Sequence, residues 1–270
     1  MDTRPIGVFD SGLGGLTAVR ELSRLLPGEK LVYFGDTGRV PYGGRSRETI
    51  LKYARQDVAF LRQFDLKAVV IACGTVSTTA LETLREENSF PVWGVVEPAV
   101  QAAAAATKNK KVGLIGTAAT IRSGAYEKAL AAIDPSIEVT ARACPLFVPL
   151  VENGRTHPGD VVIETVCEEY LEDMKRAGVD TLMLGCTHYP LLKEVIGACM
   201  GPDVELIDVG AACARYVAGE LERENLLTPH GESGCSYYVS DTVDGFSILA
   251  SRFLGRDVAG SVQRVDIDKY

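Results

Sequence analysis

Ala68-Val69-Val70-Ile71-Ala72-Cys73-Gly74-Thr75 is a short apolar run that stops at a thiol, a glycine and a hydroxyl. Five apolar residues in succession, without the alternation of a half-exposed strand, predict a β-strand covered on both faces. Such strands belong to parallel sheets with helices packed on either side. The same grammar returns later in the chain, where Leu182-Met183-Leu184-Gly185-Cys186-Thr187 ends a second buried run at a second cysteine. Ile6-Gly7-Val8-Phe9 and Val112-Gly113-Leu114-Ile115 match each other in the same way. The repeats predict two related α/β halves, each with a cysteine at an equivalent strand end.

Outward from these runs, strand and helix alternate to the end of the chain. In the first half, strands are expected at 6–9, 31–34, 68–72 and 92–96. Leu16, Val19, Leu22 and Leu26 recur at helical spacing until Pro27-Gly28 stops them, and Ile50, Ala54, Val58 and Leu61 mark a second helix. An Ala-rich helix opens at Glu97-Pro98 and closes at Lys108, Lys110 and Lys111, where positive charge suits a helix C-terminus. The second half is expected to hold strands at 112–115, 137–141 and 181–184 and helices at 123–133 and 160–177. The tail reads as helix 211–226, strand 236–239, helix 243–253 and strand 262–265. It is too short for a third domain and is expected to return to the first. The fold class is therefore α/β, with two related halves, each a mostly parallel sheet flanked by helices. Residues 1–97 plus 209–270 form the first domain and 98–208 the second.

Composition bounds the function. A chain of 270 residues suits one large or two modest domains, and 46% hydrophobic with 24% charged residues excludes disorder and coiled coil. The net charge of -8 argues against a nucleic-acid partner. No apolar run is long enough to span a membrane, and Met1-Asp2-Thr3-Arg4-Pro5 lacks a signal-peptide core, so a cytoplasmic protein is expected. Seven scattered cysteines with no CxxC pair point away from a disulfide framework and a structural zinc site. Cys144, Cys167, Cys199, Cys213 and Cys235 read as core thiols, and His157 and His230 as surface residues.

In open α/β sheets, ligands bind beyond the carboxyl ends of the strands. There the sequence places Asp10-Ser11-Gly12-Leu13-Gly14-Gly15, Gly35-Asp36-Thr37, Pro41-Tyr42-Gly43-Gly44, Cys73-Gly74-Thr75, Gly116-Thr117 with Thr120, and Cys186-Thr187-His188-Tyr189-Pro190. Small and hydroxylated turns before helix starts offer free N–H groups to an anion. Two such halves facing each other suit a dianionic small molecule. Gly12 and Gly14 begin a dinucleotide-like pattern, but position 17 is Thr17 and no P-loop lysine follows. Asp10 fits a helix N-cap as well as a catalytic role. His188 fits a structural histidine or a proton partner for Cys186. Glu152, after a Pro-bounded apolar run, is either partly desolvated or the mark of that run's end. Two thiols approaching one substrate from opposite faces suit stereochemical inversion at carbon: one removes a proton and the other returns one.

The combination of Asp10-Ser11-Gly12-Leu13-Gly14-Gly15-Leu16, Gly35-Asp36, Pro41-Tyr42-Gly43, Cys73 with Thr75, and Gly185-Cys186-Thr187-His188-Tyr189-Pro190 resembles the glutamate racemases, within the cofactor-independent aspartate/glutamate racemases. The resemblance runs through nearly the whole chain. It implies glutamate as the small-molecule substrate, bound in the cleft between two pseudo-symmetric α/β domains, with no cofactor and no metal. It implies Cys73 and Cys186 as the two acid/bases, Asp10 assisting the first, and Glu152 and His188 the second. Asp10, Ser11, Asp36, Pro41, Tyr42, Gly43, Gly74, Thr75, Thr117, Thr120, Thr187 and His188 match positions of the family's pocket. The product D-glutamate would feed peptidoglycan synthesis. Family members are often dimers, and a homodimer stays open here. A racemase for aspartate, a single-cysteine isomerase or decarboxylase, and a two-lobed binding protein are the rival readings. One departure stands out: the family has Cys-Asn-Thr where this chain has Cys73-Gly74-Thr75. An amide able to bond substrate is missing, so Gly74→Asn is expected to lower KM.

Overall fold

Glycines 7 and 113 show how tightly each central strand is covered. A Cβ on Gly7 would lie 2.6 Å from Leu66, and one on Gly113 would lie 2.7 Å from Leu182. The computed structural model describes residues 1–228, 234–258 and 260–270; His230 lies outside the described residues. In chain order the first half holds β1 (Ile6–Asp10), α1 (Leu16–Leu25), β2 (Lys30–Gly35), α2 (Arg47–Leu61), β3 (Ala68–Ile71), α3 (Gly74–Thr79), α4 (Leu81–Glu86) and β4 (Val92–Gly94). Next come α5 (Val96–Ala106), β5 (Lys111–Gly116), α6 (Ala118–Ser123), α7 (Ala125–Ile133), β6 (Glu138–Ala143), α8 (Phe147–Glu152) and α9 (Val161–Ala177). The chain closes with β7 (Thr181–Leu184), α10 (Lys193–Met200), β8 (Glu205–Asp208), α11 (Val209–Arg223), β9 (Gly234–Val239), α12 (Val243–Leu254) and β10 (Val262–Arg264).

Two parallel sheets result. One has six strands in the order β10-β9-β2-β1-β3-β4, and the other has four in the order β6-β5-β7-β8. The second order repeats the β2-β1-β3-β4 part of the first. The register repeats as well: Gly7 pairs with Val69, and Gly113 pairs with Leu182. Pseudo-symmetry read from two pairs of strands is thus a property of whole sheets. The tail returns to the first sheet through β9, paired with β2, and β10, paired with β9.

Several boundaries differ from expectation, each for a local reason. The strand expected at 92–96 stops at Gly94, because the Val95 N–H turns to the Ser77 hydroxyl at 3.3 Å. The helix expected at 123–133 is two helices, broken at Gly124 with φ of 61°. α11 starts at Val209, where Asp208 accepts the Ala211 N–H at 3.0 Å as an N-cap. Five of the seven free cysteines are buried, and Cys199 and Cys235 are half-buried and pack against the edge of the core. Among the described residues, no helix is long and apolar enough to cross a membrane.

Candidate active site

Both strand-end cysteines line one cavity. Cys73 follows β3 and caps α3, while Cys186 follows β7 in the matching place. The cavity encloses about 520 Å³ between the halves. From the first half it is lined by Ser11, Pro41, Tyr42, Gly43, Gly74 and Thr75, and from the second by Thr117, Glu152, Thr187 and His188. α3 and α6 both begin at its wall, so their N-terminal dipoles favour an anion there.

The two thiols have different surroundings. Cys73 is buried, and its S–H donates to Ser11 Oγ at 3.5 Å. Burial, reinforced by the nearby Asp10 carboxylate, pushes this thiol up to about 12. Cys186 Sγ lies 3.9 Å from His188 Nδ1, and His188 Nε2 lies 3.0 Å from Glu152 Oε1. Burial opposes a charge on this imidazole, but the bonds to Cys186 and Glu152 outweigh it, and His188 rises to about 10. A protonated imidazole donates at both nitrogens, which matches acceptors at both ends. Its ring packs edge-on against Phe253, centroids 5.4 Å apart, which fixes the plane.

Three of the expected site residues stand behind the wall. Asp10 is buried: Oδ2 accepts the Gly12 N–H at 2.9 Å, and Oδ1 accepts the Thr187 hydroxyl at 3.4 Å. Burial raises its carboxyl, against the pull of His188. Thr120 is fully buried and bonds Thr117 Oγ1 at 3.0 Å. Asp36 is also fully buried. It does not line the cavity but accepts bonds from Tyr42, Arg39 and Ser240. Glu152 lines the cavity at its rim with 39% side-chain exposure, so it is partly desolvated.

Tyr189, from one of the expected turns, is joined in the apolar part of the wall by five residues that the sequence did not mark for the site: Val40, Cys144, Pro145, Val148 and Pro149. Four of these belong to the Pro-bounded run before Glu152, whose apolar character is the signal that marks them. Tyr189 is fixed by donating to the Cys144 carbonyl at 2.9 Å and by an edge contact with Phe147 at 5.2 Å. Thr17 was also missed; its hydroxyl donates across the halves to the Thr187 carbonyl at 3.0 Å.

Gly74 also meets a steric limit that the expectation drawn from the missing amide does not weigh. A Cβ there would stand 2.7 Å from the Gly185 carbonyl oxygen. Backbone from the two halves meets at this point, so an Asn side chain has no room without moving the turn that carries Cys186.

The profile of the Asp/Glu/Hydantoin racemase family matches residues 7–217. A glutamate racemase of Geobacter metallireducens is 49% identical over 99% of this chain and 98% of its own length. The crystal structure of a glutamate racemase isoform from Bacillus anthracis superposes with a TM-score of 0.94 at 38% identity, covering 98% of both chains. The glutamate racemase of Francisella tularensis, solved in complex with D-glutamate, gives a TM-score of 0.92 at 38% identity over 100% of both.

Proposed function

The chain belongs to the Asp/Glu/Hydantoin racemase family, and from that premise we propose that it interconverts L- and D-glutamate by proton transfer at Cα. It is an isomerase. Cys186 is the resting base and Cys73 the resting acid. The Cys186 thiolate takes the α-proton, and the C–H electron pair moves toward the α-carboxylate. The Cys73 thiol then gives its proton to the opposite face, leaving Cys73 as thiolate and Cys186 as thiol. The reverse reaction starts from that state. No cofactor takes part in this scheme. D-glutamate formed in this way supplies peptidoglycan synthesis in a bacterial cytoplasm.

The observation that carries the reading is one cavity with a thiol on each side, one beside an imidazole held by a carboxylate and the other against a hydroxyl. The asymmetry supports the division of roles, since among the described residues a cation partner stands beside Cys186 and none beside Cys73. Asp10 and Thr187 connect the two turns from behind. Charge developing on the substrate meets the N-terminal turns of α3 and α6 and the hydroxyls of Ser11, Thr75, Thr117 and Thr187.

The test is incubation with L-glutamate in D₂O without added cofactor, with optical rotation and the α-proton signal followed together and L-aspartate run alongside. Loss of both signals for glutamate is expected. Cys73→Ser and Cys186→Ser should each lose racemisation by about a thousandfold or more, as loss of a proton-transfer group does. Each should retain α-proton exchange for one enantiomer, a different one in each variant. Activity on aspartate alone, or a full rate in either variant, overturns the reading.

A further inference from the structure

Behind the cavity wall lies a buried polar cluster that the reaction scheme does not use. Asp36 and Asp57 are both fully buried, Tyr42 is 1% exposed, and the Arg39 side chain 13%. Arg39 Nε donates to Asp36 Oδ2 at 2.6 Å, and Nη2 donates to Asp57 Oδ1 at 3.0 Å. Arg39 Nη1 also bonds Gln56 at 2.6 Å, and the guanidinium lies 4.2 Å above the Tyr53 ring. The Tyr42 hydroxyl donates to Asp36 Oδ2 and lies 3.3 Å from Asp57 Oδ2. Ser240, beyond β9, donates to Asp36 Oδ1 at 2.7 Å and accepts the Gly38 N–H at 2.8 Å. Of this set only Tyr42 reaches the cavity, together with Pro41, Gly43 and Gly44. The same short loop meets the second half, where a Cβ on Gly43 would be 3.0 Å from Thr117.

Two buried carboxylates face one guanidinium here. The phenol has a single hydrogen, and its bond to Asp36 uses it. At Asp57 Oδ2 the phenol oxygen is left to accept, so the proton of that contact belongs to the carboxyl. A neutral Asp57 completes a chain in which Asp57 donates to Tyr42 and Tyr42 donates to Asp36. The remaining pair, Asp36 and Arg39, is balanced in charge, as a buried set requires. Burial and the adjacent Asp36 push the Asp57 carboxyl in the same direction, and burial likewise keeps the Tyr42 phenol protonated. The ionisable groups around Asp57 are Asp10, Asp36, Arg39, Tyr42 and, beneath the guanidinium, Tyr53.

We propose that Asp57, from α2 and outside the cavity, is a positioning residue for substrate binding: as a neutral acid it holds Tyr42, and through it the wall formed by residues 41–44, against the first half. This rests on the cavity being the glutamate site. Nothing in the cluster touches reacting atoms, so its effect belongs in KM rather than kcat. An amide at position 57 donates to Tyr42 as the neutral acid does and still accepts from Arg39. Removing the side chain breaks the chain at its first link.

The experiment compares Asp57→Asn, Asp57→Ala and Tyr42→Phe with the parent enzyme. Steady-state racemisation of glutamate is measured together with amide hydrogen exchange of residues 41–44 by mass spectrometry. Asp57→Ala is expected to raise KM about fivefold or more with kcat within about twofold, and to speed exchange in the wall. Asp57→Asn is expected to restore both to parental values. Tyr42→Phe should raise KM similarly, and adding Asp57→Ala to it should change little further. An unchanged KM and unchanged exchange in Asp57→Ala overturn the proposal, as does an Asp57→Asn that behaves like Asp57→Ala. If Asp57→Ala does not fold, Tyr42→Phe decides alone, since it removes a single oxygen. If the parent enzyme fails to racemise glutamate, the functional reading fails, while exchange in the wall still tests the positioning role.

Discussion

At position 74 a single hydrogen lets two backbones meet. The Gly185 carbonyl oxygen occupies the space within 2.7 Å of where a Cβ would be, and it belongs to the turn that delivers Cys186. Gly74→Asn is therefore expected to lower kcat/KM by about tenfold or more, the effect of an overpacking strain of about 1–3 kcal/mol expressed at the catalytic turn. Gly219→Ala, exposed on α11 with nothing within 4 Å of its Cβ, is the control. Steady-state kinetics decide, and a Gly74→Asn variant with improved KM would contradict the geometry. His188 gives a second prediction at this scale. Its pKa is raised to about 10 from an ordinary value of about 6.5. A raised value means the folded state holds the proton more tightly. That stability is fully present below about pH 6.5 and is lost as pH rises through about 10. Thermal melts should thus fall between those limits in the parent enzyme and less in His188→Asn; equal slopes would remove the charged imidazole from the account. The thiols and hydroxyls at the strand ends were legible because they have no packing explanation there, whereas glycines such as Gly74 are set by the close approach of backbone. Their division between wall and support was not. Asp36 and Asp10 carry the same local pattern as Ser11 and Thr187, and only their tertiary partners turn them away from the cavity.

Long elements were read from periodicity, and short ones escaped it. α3, α4 and α8 have six residues each, under two turns, so no apolar stripe accumulates; α8 also contains Pro149. β8 spans Glu205–Asp208, with only one of its four residues buried, so it lacked the continuous apolar run of its neighbours. Tertiary ties escape periodicity as well, and Lys67 makes one of them. Its fully buried Nζ donates to Glu29 at 2.5 Å and to the carbonyls of Asp2 and Leu226 at 2.9 and 2.8 Å. Thr228 completes the Glu29 carboxylate through its N–H at 2.8 Å and its hydroxyl at 2.8 Å. One ammonium thus ties the N-terminal segment and the end of α11 to the base of β3. Lys67→Met leaves Glu29 buried without its cation, which costs about 3–5 kcal/mol. In a chain of this size that lowers Tm by roughly 10 °C. Lys67 precedes β3, whereas Cys73 follows it, so KM and kcat at 25 °C are expected to stay at parental values. Calorimetry and kinetics on one preparation check both halves of the statement, and a kinetic defect without a loss of Tm would sink it.

Across the whole molecule, the chemistry depends on how the halves meet. The two sheets share no strand ladder, so their relation rests on packing and a few polar contacts. α11 packs against both α1 and α5, bridging the halves behind the cavity. At the front, Thr75 and Thr117 hydroxyls bond at 3.0 Å, Thr17 bonds the Thr187 carbonyl at 3.0 Å, and Thr187 reaches Asp10. None of these contacts was legible beforehand, because a hydroxyl in a turn carries no mark of which half it will face. A two-base mechanism needs both thiols at one Cα, so separation of the halves stops it even where each half is intact. Gly14 tests that dependence. A Cβ at Gly14 would lie 2.0 Å from Thr187 Oγ1 and 2.5 Å from His188 Nδ1. Neither residue yields freely: Thr187 is held by Thr17 at its carbonyl and by Asp10 at its hydroxyl, and His188 by Cys186 at Nδ1 and Glu152 at Nε2. The added methyl is relieved most cheaply by opening the cleft. Gly14→Ala is therefore expected to lower kcat by about a hundredfold, equivalent to about 2.7 kcal/mol, while Tm falls by only a few degrees. Kinetics beside thermal melts measure this. A parental kcat would mean the halves close with slack to spare, and a collapse of Tm equal to the loss of rate would place the strain within the first half instead of between the two.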